Sequence, residues 1–320
     1  MRAIAITKPG GPETLVLVER PVPEPSRGEV RVRVRACAVN RADLLQRMGA
    51  YPAPSDAPPD IPGLEFAGVV EALGPGVERL AVGDRVFGLV GGGAYAEAIV
   101  SHERAVAKIP DGMSFEDAAA VPEAFVTAYD ALVERGGFVG GDTILVSAAG
   151  SGVGTAAIQL GHALGATVVA TARSQAKLDR CKSLGLDIGV VPEDGKFASK
   201  IPAPKIVIEL VGGAYLAEDL RAIQPLGRIV LVGLLAGARG ELDLGMMLHK
   251  RATIVGTVLR ARPLEQKIAA MRSFETNVVP LFAKRLVKPI IDAVMPLADA
   301  AKAHAHMASN AGFGKIVLTV

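Results

Sequence analysis

The stretch Thr143-Ile144-Leu145-Val146-Ser147-Ala148-Ala149-Gly150-Ser151-Gly152-Val153-Gly154 decides how the rest of the chain is read. Its first four residues are apolar or β-branched and predict a buried strand. Small residues follow, and then Val153, Ala156, Ala157, Leu160 and Leu164 recur at helical spacing. A strand, a small-residue turn and a helix make an anion site. Free N–H groups and the helix dipole point at the turn, and small side chains let a pyrophosphate approach the backbone. On the usual glycine fingerprint the three positions are Ala149, Ser151 and Gly154, so only the last is glycine. An ordinary tight β–α turn has the same outline. What favours a dinucleotide site, with Gly150, Ser151, Gly152 and Val153 around the phosphates, is the alternation that follows.

Strands are expected at 167–172, 187–191, 205–210, 228–232 and 252–256, separated by helical or turn segments such as 174–184. With the first strand these make six, a complete doubly wound parallel sheet whose ligand lies across the strand ends. Before residue 110 the rhythm differs. Gly28 to Ala36 alternates strictly, with Val30, Val32 and Val34 on one face and Arg31, Arg33 and Arg35 on the other. Further short strands are expected at 66–72, 84–90 and 94–100. The loop from Tyr51 to Pro62 carries Pro52, Pro54, Pro58 and Pro59 as well, which predicts an extended pocket rim. After residue 258 the pattern predicts a helix at 264–283, a strand near Ile290, a helix at 297–307 and a strand at 315–319.

The chain has 320 residues, enough for two domains, and half are hydrophobic. No apolar run approaches the ~20 residues of a membrane span. The N-terminal residues read as a strand without signal-peptide layout. Two cysteines, Cys37 and Cys181, form no disulfide framework, and a cytoplasmic setting is expected. The net charge of +2 gives no footprint for nucleic acid.

Several motifs together resemble a known family: Gly10-Gly11-Pro12-Glu13, Asn40-Arg41-Ala42-Asp43-Leu44, Gly63-Leu64-Glu65, Ala120-Val121-Pro122-Glu123-Ala124, Ser151 to Leu160, and Gly314-Lys315-Ile316-Val317-Leu318. They resemble the zinc-free quinone oxidoreductases of the medium-chain dehydrogenase/reductase superfamily, in particular the p53-inducible type. The resemblance implies an α/β Rossmann doubly wound parallel sheet, residues 122–258, inserted into a GroES-like β-barrel domain, residues 1–121 plus 259–320. It also implies a homodimer and a site in which Asn40 and Thr127 approach the nicotinamide or its ribose. Gly233, Leu234 and Thr257 would line the carboxamide pocket with backbone groups, Phe313 and Lys315 would close it, and Tyr51 would project toward the substrate. Asn40 and Asp43 also suit a plain helix cap, and Tyr51 also suits packing on the loop prolines.

Zinc-dependent relatives place cysteine where Asn40 stands and histidine where Leu64 stands. Leucine cannot ligate and an amide does so poorly, so no metal is expected. None of the five histidines has metal spacing. Cys37 reads as strand packing, and Cys181 as half-buried and inert. The second strand of the sheet ends Thr171-Ala172-Arg173-Ser174, with Lys177 beyond, and has no carboxylate to hold ribose hydroxyls. A guanidinium, a hydroxyl and an ammonium there suit a 2′-phosphate, so the expected cofactor is NADPH. A solvated helix start would carry the same residues, although cations oppose the dipole there. The family's usual tyrosine after the third strand is Pro192 here. The expected reaction is reduction of a small quinone. Two alternatives stand beside it: an enoyl-thioester reductase with Tyr51 as proton donor, and an NADPH-binding protein with little turnover.

Overall fold

Strict alternation makes Glu29–Val39 the spine of one sheet. Its inward Val30, Val32 and Val34 are at most 2% exposed. The computed structural model describes residues 1–320, and the chain forms two compact units. The first comprises residues 1–126, 259–284 and 288–320, the second residues 127–258 and 285–287.

In the first unit, Glu29–Val39 pairs antiparallel with Glu65–Leu73 and with Ala98–His102. Arg85–Leu89 and Val106–Lys108 extend the sheet on one side. On the other, Lys315–Thr319 pairs antiparallel with residues 36–39, and Ile291–Pro296 lies parallel to it. Arg2–Ile6 and Leu15–Glu19 form a separate ribbon. Valine, isoleucine and leucine side chains from these strands fill one core together with Phe66 and Tyr95.

In the second unit six parallel strands lie in the order Ile188–Val190, Thr167–Thr171, Thr143–Val146, Ile206–Glu209, Arg228–Leu231, Thr253–Gly256. In chain order this is 3-2-1-4-5-6, the order that leaves a crevice where the winding reverses. The reversal lies between Thr143–Val146 and Ile206–Glu209. The central strands are fully buried, as their unbroken apolar runs require.

The structure corrects some boundaries. The expected helix at 264–283 is two, Leu264–Asn277 and Val279–Ala283. Pro280 lacks the N–H that a continuous helix needs and sits instead in the first turn of the second piece, where that N–H is not required. The expected helix at 297–307 opens with a tight turn, Leu297–Asp299, and then runs Ala300–Ser309. Residues 94–97 lie outside the strand expected there, apart from a single bridge between Ala96 and Ala3. Cys181 is fully rather than half buried.

Candidate active site

The turn expected to hold phosphates lies in the second unit, at the crevice. The strand Thr143–Val146 leads into the helix Gly152–Ala163, with Ser151 as its N-cap. Ser151 Oγ accepts from Gly154 N at 3.0 Å. The turn closes through Ala149 N to Thr171 O at 2.9 Å and Ser151 N to Ala148 O at 2.9 Å. The first N–H groups of a helix have no intrahelical partner, so the turn presents backbone donors at the start of Gly152–Ala163. Gly154 is the one fingerprint glycine that packing demands. A Cβ there would lie 2.4 Å from Ala148 O and 2.8 Å from Ala149 O, both backbone atoms. At the end of the neighbouring strand the Thr171 hydroxyl is buried without a partner. Backbone donors at a helix start and an orphaned hydroxyl fit a polyanionic ligand. Cys181 Sγ lies 3.7 Å from Ala149 O beneath the turn, and burial pushes its thiol up to about 11.

Past that strand, Arg173 and Ser174 are exposed and Lys177 is half-buried. Ser174 is the N-cap residue of the helix Gln175–Lys182, yet its side chain makes no capping bond, so the hydroxyl is available to a ligand. At the far strand ends, Gly233 N donates to Glu209 O (3.1 Å) and Thr257 N to Leu231 O (3.0 Å). Both amides are therefore consumed by the sheet. What Gly233 and Thr257 can turn toward a carboxamide is a carbonyl, an acceptor for its NH₂. Thr257 Oγ1 donates to buried Asp130 at 2.6 Å, and Asp130 lies one helical turn after buried Thr127. Leu234 is 55% exposed.

The polar cluster of the first unit forms around Lys315. Its Nζ is 2.6 Å from Glu65 Oε1 and donates to Asn40 Oδ1 at 2.5 Å and to Val39 O at 3.2 Å. Asn40 Nδ2 donates to Glu65 Oε1 at 2.8 Å and to Ala38 O at 3.3 Å. Glu65 Oε2 accepts from Glu123 N at 2.8 Å. Glu65 is 0% and Lys315 4% exposed. Both amide hydrogens of Asn40 are thus spent inside the cluster, and only an acceptor lone pair on Oδ1 is left for a ligand. Asn40 also begins the helix Arg41–Arg47, with Asp43 Oδ2 accepting from Asn40 N at 2.8 Å. Burial raises the Asp43 carboxyl to about 6, although N–H donors oppose the shift. Burial and the charge of Glu65 push Glu123 up to about 8.

Tyr51 lies in the rim loop, half-buried, and its hydroxyl makes no hydrogen bond within the chain. Phe313 is buried and its N–H donates to Asp292 Oδ1 at 3.0 Å. Leu64 is 1% exposed. No group of three or more His, Cys, Asp or Glu side chains comes together to hold a metal ion. His304 is structural: its ring sits 3.1 Å from the Tyr95 hydroxyl and 3.4 Å from Arg47, and burial lowers it to about 3. Sequence reasoning gave no role to Glu65, Glu123 or Arg260. Glu65 and Glu123 do stand inside quoted motifs, and that was the signal available.

With this geometry the comparisons acquire meaning. The model of the alcohol dehydrogenase GroES-like domain matches residues 26–111, and that of zinc-binding dehydrogenase matches residues 152–275. A quinone oxidoreductase of Rattus norvegicus is 31% identical over 330 residues, covering 99% of this chain and 97% of the relative. The chain belongs to the quinone oxidoreductase-type family of the medium-chain dehydrogenase/reductase superfamily. The first unit is accordingly a GroES-like domain and the second a Rossmann domain. Members of this superfamily are oxidoreductases that bind a nicotinamide cofactor, and so is this protein. Two solved structures covering 100% of the chain differ in cofactor. An NAD-dependent alcohol dehydrogenase is 34% identical with a TM-score of 0.89, and a mycobacterial protein complexed with NADPH is 28% identical with a TM-score of 0.87. A segment of the polyketide synthase GfsB of Streptomyces halstedii is 37% identical over 99% of the chain, which spans only 6% of that synthase.

Proposed function

We propose that this oxidoreductase reduces small quinones with NADPH and without a metal. The observation that carries the reading is the pairing of a small-residue turn at a helix N-terminus with a following strand end that offers Arg173, Ser174 and Lys177 but no carboxylate. When bound, NADPH supplies the hydride. The chain's own part is to hold the pyrophosphate at Gly150, Ser151, Gly152 and Val153, the 2′-phosphate at Arg173, Ser174 and Lys177, and the carboxamide at the carbonyls of Gly233 and Thr257. By the family resemblance, Lys315, Phe313 and the Oδ1 of Asn40 would serve the nicotinamide and its ribose.

The acceptor side favours a quinone. Leu64 cannot ligate, and the Asn40 amide is already bonded to an ammonium that repels a cation. A plain ketone would collect an alkoxide charge that no metal stabilises. A quinone spreads that charge over its aromatic product. The likeness to a polyketide synthase segment favours a second reading, reduction of an enoyl thioester with Tyr51 as proton donor. NADPH consumption against a panel of quinones and enoyl-CoA esters separates the two. Quinone turnover is expected, and Tyr51→Phe should keep most of it. Strong enoyl-CoA turnover that falls about 10²–10⁴-fold in Tyr51→Phe, with negligible quinone activity, would establish the second reading.

The same reading includes a homodimer formed by edge pairing of Thr253–Gly256. Thr253 N and Thr257 N both donate inward to the neighbouring strand. Alternation therefore turns Ile254 N and Gly256 N outward, where a second chain can pair with them. Ile254→Pro should give a monomer in sedimentation at micromolar concentration. A dimer unchanged by it rules this interface out.

A further inference from the structure

Among the buried cations of the first unit, Arg260 has no carboxylate among its hydrogen-bond partners. Arg260 is 4% exposed. Its Nε donates to Gly91 O at 2.8 Å, Nη1 to Tyr51 O at 3.1 Å, and Nη2 to Gln46 Oε1. All three acceptors are neutral. Lys315, by contrast, is paired with Glu65. A buried ion without a partner is costly, and its position says what compensates it. The guanidinium carbon lies 5.0 Å from the centroid of the Tyr51 ring, over the face where a cation is attracted.

We propose that Arg260 is a positioning residue for acceptor reduction: it clamps the rim loop and polarises Tyr51, so that the Tyr51 hydroxyl is a strong hydrogen-bond donor to the acceptor oxygen on which negative charge collects. This deepens the reading above and rests on Tyr51 facing the acceptor. Three features support it. The clamp acts on the loop through the backbone of Tyr51 itself. The loop is pinned a second time by Lys267 Nζ on Asp56 at 3.0 Å and a third time by Gln46 Nε2 on Pro59 O at 3.1 Å, so Arg260 is not needed merely to hold it. The Tyr51 hydroxyl, finally, is left without a partner in the chain. Burial is the largest influence on Tyr51 and raises its ionisation. Arg260 opposes that and Glu123 adds to it. Asp43 and Glu123 are the carboxyl groups that face Arg260.

The electrostatic role and a purely mechanical one predict opposite signs. The Tyr51 ionisation can be followed by NMR of tyrosine-labelled full-length protein, with Tyr51→Phe assigning the signal among four tyrosines. In Arg260→Met the ionisation should move to higher pH, because the cation is gone while the ring stays buried. A mere clamp would release the loop, and the ionisation would fall toward the ~10 of free tyrosine. Gln46→Glu keeps Arg260 and its hydrogen bond and adds a counter-charge; it also gives up the Gln46 Nε2 bond to Pro59 O, but loop release would lower the Tyr51 ionisation whereas the counter-charge raises it, so it tests the idea even if Arg260→Met fails to fold. Ionisation at higher pH is expected, and quinone kcat should fall by no more than the small loss expected of Tyr51→Phe, with KM unchanged. An unmoved Tyr51 ionisation in Gln46→Glu, or a fall in Arg260→Met, overturns the proposal. Absence of quinone turnover in the unaltered protein would instead remove the quinone reading, with the Tyr51 titration still deciding whether Arg260 polarises the ring.

Discussion

The two polar centres of this protein are built on opposite plans. The turn at Ala149–Gly154 is neutral and made of backbone, and it offers N–H donors at a helix start. The cluster of Asn40, Glu65 and Lys315 is charged and made of side chains, and nearly every donor and acceptor in it is used. By the proposed function, the first is a socket whose bonding a ligand would complete. The second is finished before any ligand arrives. A socket can be damaged with the fold left standing. A closed network of buried charges cannot, because removing one member strands another.

The largest expected effect follows from that contrast. Lys315→Met should leave the Glu65 carboxylate buried and unpaired, at a cost of about 3–5 kcal/mol in unfolding free energy by denaturant titration. The double substitution Glu65→Gln, Lys315→Met should recover most of the loss. If the single substitution costs under about 1 kcal/mol, the cluster is not the closed network described here. On the socket side, Arg173→Ala should weaken NADPH by roughly ten- to a hundredfold and leave NADH nearly unchanged, with stability untouched. Equal losses for both cofactors would show that Arg173 does not read the 2′-phosphate.

The smallest effect sharpens the comparison through pH. Glu123 borders the cluster, and its carboxyl is raised to about 8 in the folded chain from an ordinary 4.5. The folded state therefore holds this proton more tightly than the unfolded state. Stability falls as pH rises from about 4.5 and levels off above about 8. Glu123→Gln keeps the neutral shape and removes the penalty. It should stabilise the protein by about 1–3 kcal/mol at pH 9, allowing for solvent at its outer face, and by almost nothing at pH 4. A pH-independent difference between the two melting temperatures would mean that Glu123 does not titrate in this range.

These plans explain what the residues disclosed on first reading. The socket is local: strand, turn and helix are contiguous from Thr143, so the residue types alone pointed to it. The switch to helical spacing after Gly152 and the missing acid near Arg173 are equally local. The charged cluster is assembled across the chain. Asn40 and Lys315 are 275 positions apart, and nothing near either one names its partner. Asn40 is therefore legible as a ligand contact or a helix cap, while the bonds that hold both of its amide hydrogens are not. Arg260 lies 209 positions from Tyr51 and belongs to no motif. The edge strand needed its register as well, because composition cannot say whether the Ile254 or the Val255 amide faces outward. Pro280 was legible and was overlooked: proline inside a helical pattern marks a boundary.

The pairing of Lys315–Thr319 with residues 36–39 has a consequence for how the protein is made. Residues 127–258 emerge from the ribosome as one uninterrupted block and can complete their sheet while synthesis continues. The first unit cannot. Its strand Glu29–Val39 has one edge open, and the carboxylate of Glu65 has no cation, until residue 315 has been translated. Chain closure over so long a span is an entropy cost that the contiguous block 127–258 does not meet. The GroES-like half is completed only by its last strand.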